Sequence, residues 1–278
     1  MIKAMWTLFL SKKGFFFDLI WEHIEISLAA ILIAVLFGGI VGILISEFQK
    51  TAKPTLGVIN FLYTIPSISM LGFLIPFSGV GNATAIIALT IYALLPMVRN
   101  THTGITNVDT AILEAAEGMG STRLQILFKI KLPLALPVIL SGIRSMVTMT
   151  IALAGIASFI GAGGLGVAIY RGITTNNTAM TMVGSLLIAI LALFFDFLLG
   201  FIEKRLNKRG KRIKKVNRVM VSAAALLIAC IIIVTAFPTG KKETIHIATK
   251  PMTEQYICLL YTSPSPRDLS TSRMPSSA

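Results

Sequence analysis

Two ionisable residues stand inside otherwise apolar stretches and are the first candidates for chemistry. Arg144 lies in "GIRSMVTMTIALAGIASF" and Asp196 lies in "LALFFDFLLG". A charge in the interior of a membrane is costly and is kept where it pairs or serves transport. One hypothesis is that Arg144 faces a pathway or subunit interface, or that both residues couple transport to ions. The alternative is structural: Arg144 snorkels or pairs, and Asp196 pairs with a nearby basic residue.

A glycine cluster, "GAGGLG" at residues 161–166, suggests a dinucleotide-binding fingerprint at first sight. No strand–helix–strand pattern surrounds it, so close helix packing or a flexible external turn is the simpler interpretation. The sequence contains no G-x-x-x-x-G-K-[ST] motif, and it therefore predicts no phosphate-binding loop for a nucleotide.

Cys230 and Cys258 are the two cysteines, and they predict neither a disulfide framework nor a metal site. His23 and Glu25 are interpreted as solvated or interfacial residues.

The composition indicates an integral membrane protein. The 278 residues are 55% hydrophobic and only 13% charged, with a mean hydropathy of +0.81, whereas soluble domains carry roughly a quarter charged residues. The net charge of +13 is concentrated next to the apolar stretches, above all at residues 203–218. We interpret it as a signal of topology and of contact with anionic lipid, not of nucleic acid binding.

Six apolar stretches are long enough, or nearly so, to span a bilayer. The second is interrupted by Pro66 and Pro76, and such breaks persist in lipid where the freed backbone lines a cavity or is satisfied by neighbouring helices. Its aromatic residue Tyr63, with Phe61 and Phe73, is therefore predicted either to pack or to ease a cation through a pathway. The third stretch is short enough to be tilted or re-entrant. The predicted spans are residues 26–45, 58–77, 83–98, 134–160, 180–202 and 219–237.

Basic residues set the predicted topology. The loops after the first, third and fifth spans carry more Lys and Arg than the opposite side, which predicts that these loops are cytoplasmic and that both termini are extracytoplasmic. Residues 1–22 are predicted to be an external or interfacial segment. Residues 23–206 form the five-span core, and residues 207–218 form a basic cytoplasmic linker to the sixth span.

The C-terminal part changes character twice. Residues 243–257 show a short alternation of apolar residues and then a helix start, which predicts the truncated beginning of an α/β domain. Residues 258–278 are rich in Ser and Pro and cannot form a core. We predict that this tail is low-complexity and non-native.

A polar and basic loop at residues 108–133 cannot cross a bilayer and needs another purpose. Asp109 is predicted to cap a helix over residues 110–118, and Gly118 and Gly120 to turn the chain. Ser121 is predicted to cap a second short helix that Pro133 ends. Such a pair of helices could rest on lipid head groups. The alternative is a docking element for a cytoplasmic partner, whose backbone a small-residue face would admit closely.

The spacing of seven residues in this loop matches a known pattern, EAA-x3-G-x9-I-x-L-P. The loop resembles the EAA loop of the permease subunits of bacterial ATP-binding cassette (ABC) importers. The matching residues are Glu114, Ala115, Ala116, Gly120, Ile130, Leu132 and Pro133. The resemblance implies that the first four of these residues contact a separate ATPase subunit and that the last three anchor the loop to span four.

Other segments resemble one branch of these permeases, the importers of glycine betaine, choline, carnitine and proline betaine. They are residues 60–76, 142–173 and 194–206. Residues 245–257 resemble the opening of that branch's substrate-binding domain, which some members fuse to the permease. A related fused protein imports ergothioneine, so that solute, or another small amino-acid-like solute, is an alternative substrate.

The resemblance implies an all-α, polytopic membrane helix bundle with the type I ABC importer permease fold in a bacterial plasma membrane. It implies a transport subunit, not an enzyme, with ATP and Mg in the partner ATPase and no cofactor of its own. A second permease copy, in a homodimer, and an extracellular binding domain complete the expected assembly. The alternative from another class is a secondary transporter that needs no ATPase. The predicted pathway or gate residues are Tyr63, Pro66, Arg144, Gly161, Gly163, Gly164 and Gly166.

Overall fold

The computed structural model describes residues 2–208, and these residues form helices joined by short turns, with no strand among them. The predicted sixth span, most of the basic linker, the α/β beginning and the Ser/Pro-rich tail lie outside the described residues. The elements in chain order are α1 Ile2–Ser11, α2 Lys13–Glu47, α3 Gln49–Thr64, α4 Ser67–Ser78, α5 Asn82–Thr106, α6 Thr110–Gly118, α7 Arg123–Ile126, a π turn Leu127–Lys131, α8 Leu132–Ala154, a 3-10 turn Ala157–Ile160, α9 Gly166–Thr174 and α10 Thr178–Lys208.

Four helical stretches are long and apolar enough to cross a membrane: α2, α5, the continuous stretch Arg123–Ala154, and α10. A fifth is the bent pair formed by α3 and α4. These five correspond to the first five predicted spans, so the predicted polytopic all-α bundle is confirmed for the described part of the chain.

The first span is much longer than its apolar stretch. Helix α2 has 35 residues and starts at Lys13, which gives it a length of about 50 Å against a hydrocarbon core of about 30 Å. The predicted external segment therefore consists of α1 and the first turns of α2. Its apolar residues Phe16 and Leu19 are buried against Leu165, in the turn before α9, and against Met180 of α10.

The second span breaks at Pro66 and not at Pro76. Ile65 has the extended backbone that a residue before proline prefers, and α3 and α4 meet there at 98°. The carbonyl of Ile65, freed from helical bonding, accepts a hydrogen bond from the hydroxyl of Tyr92. Pro76 lies inside the last turn of α4, so the predicted second break is wrong.

The third span is not short. Helix α5 runs for 25 residues through a polar end that the sequence prediction had left out. Asn100 donates a side-chain hydrogen bond of 2.7 Å to the carbonyl of Pro96 in its own helix, and Thr90 donates one of 2.7 Å to Ile86. Bonds of this kind keep short polar side chains compatible with a helix. The prediction of a short third span, and with it of a re-entrant one, is therefore wrong, whereas a tilt stays a prediction.

Small residues set how closely the central helices approach. A Cβ atom placed on Gly42 of α2 would lie 2.6 Å from the Cβ of Thr101 on α5, and one on Gly104 of α5 would lie 3.2 Å from the carbonyl of Ala135 on α8. Close approach through small residues is the usual way in which membrane helices gain packing energy. Helix α5 thus lies between α2 and α8 at the centre of the bundle.

We expect Gly42→Leu to destabilise the bundle by about 1–3 kcal/mol, because the added side chain must push α2 away from α5. The measurement is the thermal stability of the detergent-solubilised full chain, followed by size-exclusion chromatography. Gly39→Ala is the matched control, since its Cβ would be 3.4 Å from the flexible tip of Met97. Equal stability of the two variants would contradict the tight α2–α5 contact.

Candidate functional site

The polar and basic loop forms a compact knob, residues 109–126, made of α6, a turn and α7. The carboxylate of Asp109 accepts a 2.9 Å hydrogen bond from the backbone N–H of Ala111, so the predicted N-cap and the predicted helix bounds are confirmed. Glu114 and Ala115 are exposed, whereas Ala116 is only 1% exposed and packs inward. The small-residue face of α6 is thus divided between an outer contact surface and an inner packing surface.

Gly120 ends α6 by a specific geometry. Its φ of +80° lies in the left-handed region. Its N–H donates to the carbonyl of Glu117 at 2.8 Å, and the N–H of Ser121 donates to that of Ala116 at 3.0 Å. This pair of bonds is a Schellman motif with Gly120 at the position that favours glycine. The glycine of the spaced pattern therefore has a structural reason, independent of any partner.

The second short helix begins at Thr122 and not at Ser121 as predicted. Gln125 donates its backbone N–H to the Thr122 hydroxyl at 3.4 Å, and its side chain accepts the N–H of Thr122 at 2.9 Å. This is a capping box. Ser121 could not form one, because its own N–H is used to end α6 and the residue three positions later is Leu124.

The knob continues into span four without a break. After α7 comes the π turn, and then α8, in which Pro133 lies in the first turn. The wider π turn gives the proline ring room that an ordinary helical turn would not. The prediction that Pro133 ends the second helix is therefore wrong. Leu127 and Leu132 are buried in the central core beside Met97 and Ile105.

An ion pair joins the knob's exit to the first span. Lys131 donates to a carboxylate oxygen of Glu47 at 2.6 Å, with side chains 19% and 28% exposed. Sequence reasoning missed this contact. The only signal was a pair of opposite charges at the cytoplasmic ends of two predicted spans.

Arg144 and Asp196 pair with each other. The guanidinium of Arg144 donates two hydrogen bonds to the carboxylate of Asp196, of 2.7 and 2.6 Å, and lies 3.6 Å from an oxygen of Glu203. The pairing that the structural interpretation requires of both residues is therefore present, and a role of Arg144 in a pathway stays a prediction. Gly200 makes room for the guanidinium, because a Cβ at that position would lie 2.9 Å from its Cζ. Neither Glu203 nor Gly200 was among the predicted residues.

The broken second span presents aromatic rings beside its bend. Tyr63 packs edge-on against Tyr92 with ring centroids 5.8 Å apart, and its hydroxyl lies 3.4 Å from the sulfur of Met149. Tyr63 is 39% exposed, and Phe61 and Phe73 are more exposed still. Pro66 is the residue before α4, between Tyr63 and Phe73 along the chain, and is exposed. The surface around Pro66 is accordingly apolar, aromatic and open on the isolated chain.

The glycine-rich segment 161–166 lies at the other end of the bundle and is pinned to two spans. The N–H of Gly164 donates to the carboxylate of Glu22 on α2 at 3.0 Å. The N–H of Gly163 donates to the side-chain oxygen of Asn82, at the start of α5, at 2.9 Å. The loop is therefore fixed by long-range bonds, which excludes the interpretation as a freely flexible turn.

His23 supports this loop from inside. It is fully buried, its Nε2 is 2.9 Å from the carbonyl oxygen of Ile151, and it packs against Gly164. The prediction that His23 is solvated or interfacial is wrong, because α2 begins at Lys13 and carries His23 into the helix interface. Gly166 contacts the backbone of Gly155 so closely that a Cβ atom would not fit. Within residues 2–208 no group of three His, Cys, Asp or Glu side chains is arranged to hold a metal ion.

We expect Glu22→Ala to loosen this loop, because it removes an acceptor worth about 1 kcal/mol. Amide exchange of a peptide covering residues 157–166 should then become about fivefold faster, measured by mass spectrometry. Glu22→Gln retains an acceptor oxygen and should exchange close to the unchanged chain. If both variants exchange alike, the carboxylate does not pin the loop.

Comparison with known proteins decides the family. Residues 34–212 match the model of the family described as "Binding-protein-dependent transport system inner membrane component". The chain belongs to this family. It is thus a transport subunit that crosses the membrane several times.

Individual relatives of this permease agree. It is 42% identical over 192 residues to the carnitine transport permease protein OpuCB of Listeria monocytogenes, covering 69% of this chain and 88% of that protein. It is 36% identical over 233 residues to the ergothioneine transport permease/ergothioneine binding protein EgtU of Helicobacter pylori, covering 81% of this chain and 42% of that protein.

A solved structure supports the predicted permease fold. An inward-facing structure of the MetNI methionine ABC transporter matches with a TM-score of 0.61 at 24% identity, covering 67% of this chain and 93% of that chain. At this identity the match bears on the fold alone. The predicted type I permease fold is confirmed for the described residues.

Proposed function

We propose that this permease imports a quaternary ammonium osmolyte, such as glycine betaine, choline, carnitine or proline betaine, with energy from ATP hydrolysed by a separate subunit. The observation that carries the proposal is the exposed knob, whose outward face is formed by Glu114, Ala115 and Gly120. The chain itself has no phosphate-binding loop motif, so ATP and Mg would be bound by the partner.

The knob is the proposed contact with that ATPase. Its outer face offers small side chains and one carboxylate, which would let the backbone of a partner approach closely. Ala116 is buried and packs on the side of α6 that faces away from this outer face. Ile130, Leu132 and Pro133 lie where the knob joins span four, and Leu132 is 7% exposed in the core. A push on the knob would therefore be transmitted to span four.

Two copies of the permease are proposed to enclose the pathway. The bend at Pro66 and the exposed ring of Tyr63 would line it, with Arg144 closer to the cytoplasmic side and held by Asp196. The loop containing Gly161, Gly163, Gly164 and Gly166 would form the outer gate, next to an extracellular binding domain that delivers the substrate. This arrangement requires both termini to lie outside a bacterial plasma membrane.

The substrate class is supported by relatives. OpuCB is named a carnitine permease, and a choline transport system permease protein of Bacillus subtilis is 39% identical over 198 residues. The aromatic surface at Tyr63 would suit an organic cation, since ring faces attract such groups.

Ergothioneine, itself a betaine, is the second candidate. The match to EgtU covers 81% of this chain, against 69% for OpuCB. A broader match to a protein that joins a permease with a binding domain favours the fused type. The two candidates differ in the solute and share the same ATP-driven mechanism.

The test is uptake into proteoliposomes that contain the full chain purified from its native membrane together with its ATPase and its binding domain. Labelled glycine betaine, choline, carnitine and ergothioneine are offered outside, with ATP or a non-hydrolysable analogue enclosed. We expect uptake of one solute class only with enclosed ATP. Uptake without nucleotide under a proton or sodium gradient would instead support the secondary transporter.

A further inference from the structure

An apolar groove runs between α2 and α10, with α8 as its floor. It contains a cavity of about 270 Å³. Helix α2 contributes Ile24, Leu28 and Val35, and α10 contributes Leu191, Phe195 and Leu199. These side chains recur at intervals of three, four or seven residues, so each helix turns one continuous stripe toward the groove.

Ser27 gives the groove an unusual polar point. It is 2% exposed and lines the cavity, and its hydroxyl has no hydrogen-bond partner among the residues that the structure describes. Buried hydroxyl groups are nearly always hydrogen-bonded. A groove of this shape therefore suits an apolar occupant that brings one polar atom to the depth of Ser27.

We propose that the groove is the docking site of this chain's own apolar segment 219–237. Helix α10 forms one wall of the groove and ends at Lys208, so the chain continues from that wall. Only ten residues, 209–218, separate the described part from the segment, and short connections place consecutive helices side by side. The segment has no charged residue, and 19 residues of helix would span about 28 Å.

The depth of the segment's residues follows from this arrangement. On α8, Arg144 pairs with Asp196 of α10, and Ile151, seven residues further along, contacts His23 of α2. Ser27 is four residues from His23, so it lies about three residues deeper than Asp196. Glu203 is seven residues from Asp196 in the other direction, which places Ser27 about ten residues further into the membrane than Glu203. If residue 219 starts level with Glu203, Cys230 reaches the depth of Ser27. Its thiol is the polar atom closest to that depth in the segment, and small residues at 222–225 would allow close approach near the cytoplasmic end.

The test is disulfide formation between Ser27→Cys and the native Cys230 in the full chain. Cys258→Ser is present in every variant, and a protease site is inserted within residues 209–218. After mild oxidation and cleavage, we expect the two fragments to stay joined until a reductant is added. Ile33→Cys is the matched control, because it lies on the opposite face of α2 and is 37% exposed; its fragments should separate.

The depth assigned to Cys230 could be wrong by one or two residues. Single cysteines are therefore also placed at positions 229, 231 and 232, each in a chain in which Cys230 is replaced by Ser. Absence of a joined product at all four positions, with Ser27→Cys shown to be a reactive thiol by maleimide labelling in detergent, would overturn the proposal in favour of lipid. A product of twice the chain's mass before cleavage would show that a second copy fills the groove instead and would overturn the proposal. The inference depends neither on the substrate nor on the ATPase, so failure of either proposal leaves the other standing.

Discussion

Gly120→Asp is expected to abolish ATP-driven uptake while the chain still inserts into the membrane. Gly120 is exposed, and a Cβ there would meet nothing within 4 Å, so the substitution does not disturb the core. Its φ of +80° disfavours a side chain. The new carboxylate would also lie at the C-terminal end of α6, where negative charge is unfavourable, and on the face proposed to contact the ATPase.

Two controls separate these effects. Asn adopts the left-handed backbone about as readily as Asp does and carries no charge. Gly120→Asn should therefore retain part of the uptake. Gly118→Asp introduces the same charge at the last helical residue of α6, where φ is not positive. Substrate-stimulated ATP hydrolysis and uptake are measured together. Full activity of correctly inserted Gly120→Asp would contradict the proposed coupling surface.

Arg144→Met is expected to reduce the amount of folded chain more than Asp196→Asn does. Removing the guanidinium leaves two carboxylates, Asp196 and Glu203, close to each other in a membrane span. Removing the charge of Asp196 leaves Arg144 with Glu203 at 3.6 Å. Loss of one partner from an ion pair in a membrane is costly because the other charge stays behind.

The measurement is the thermal stability and yield of each variant in mild detergent. Arg171→Met is the control, since this arginine is exposed and lies over the ring of Phe15 at 5.4 Å. If Arg144→Met were as stable as the control and lacked only transport, Arg144 would act in the pathway and the structural interpretation would be wrong.

Local features of the knob could be predicted from the sequence because they depend on neighbouring residues. The cap at Asp109 and the bounds of α6 need only the next few positions. The prediction of Ser121 as the second cap was wrong because the cap depends on how α6 ends, which uses the N–H of Ser121. A prediction that considers one capping residue at a time does not take into account that the end of one helix and the start of the next use neighbouring residues.

Long-range contacts at the end of the bundle away from the knob could not be predicted. His23 was predicted to be solvated or interfacial because it precedes the apolar stretch, and Glu22 was not singled out. Both residues contact a loop about 140 positions further along the chain. The break at Pro66 was foreseeable from proline chemistry, and the angle of 98° was not, since neighbouring helices set it. That Arg144 and Asp196 would each find a partner was predictable from the cost of charge in lipid, whereas their pairing with each other was not predicted.

The unbroken path from the knob into span four has a mechanical consequence. Residues Arg123–Ala154 form one continuous helical stretch of 32 residues, and α5 packs along it, with Gly104 close to Ala135 and Asn100 close to Gly142. A displacement of the knob would therefore be shared by both helices. It would reach the far end of the stretch, where His23 contacts the carbonyl of Ile151.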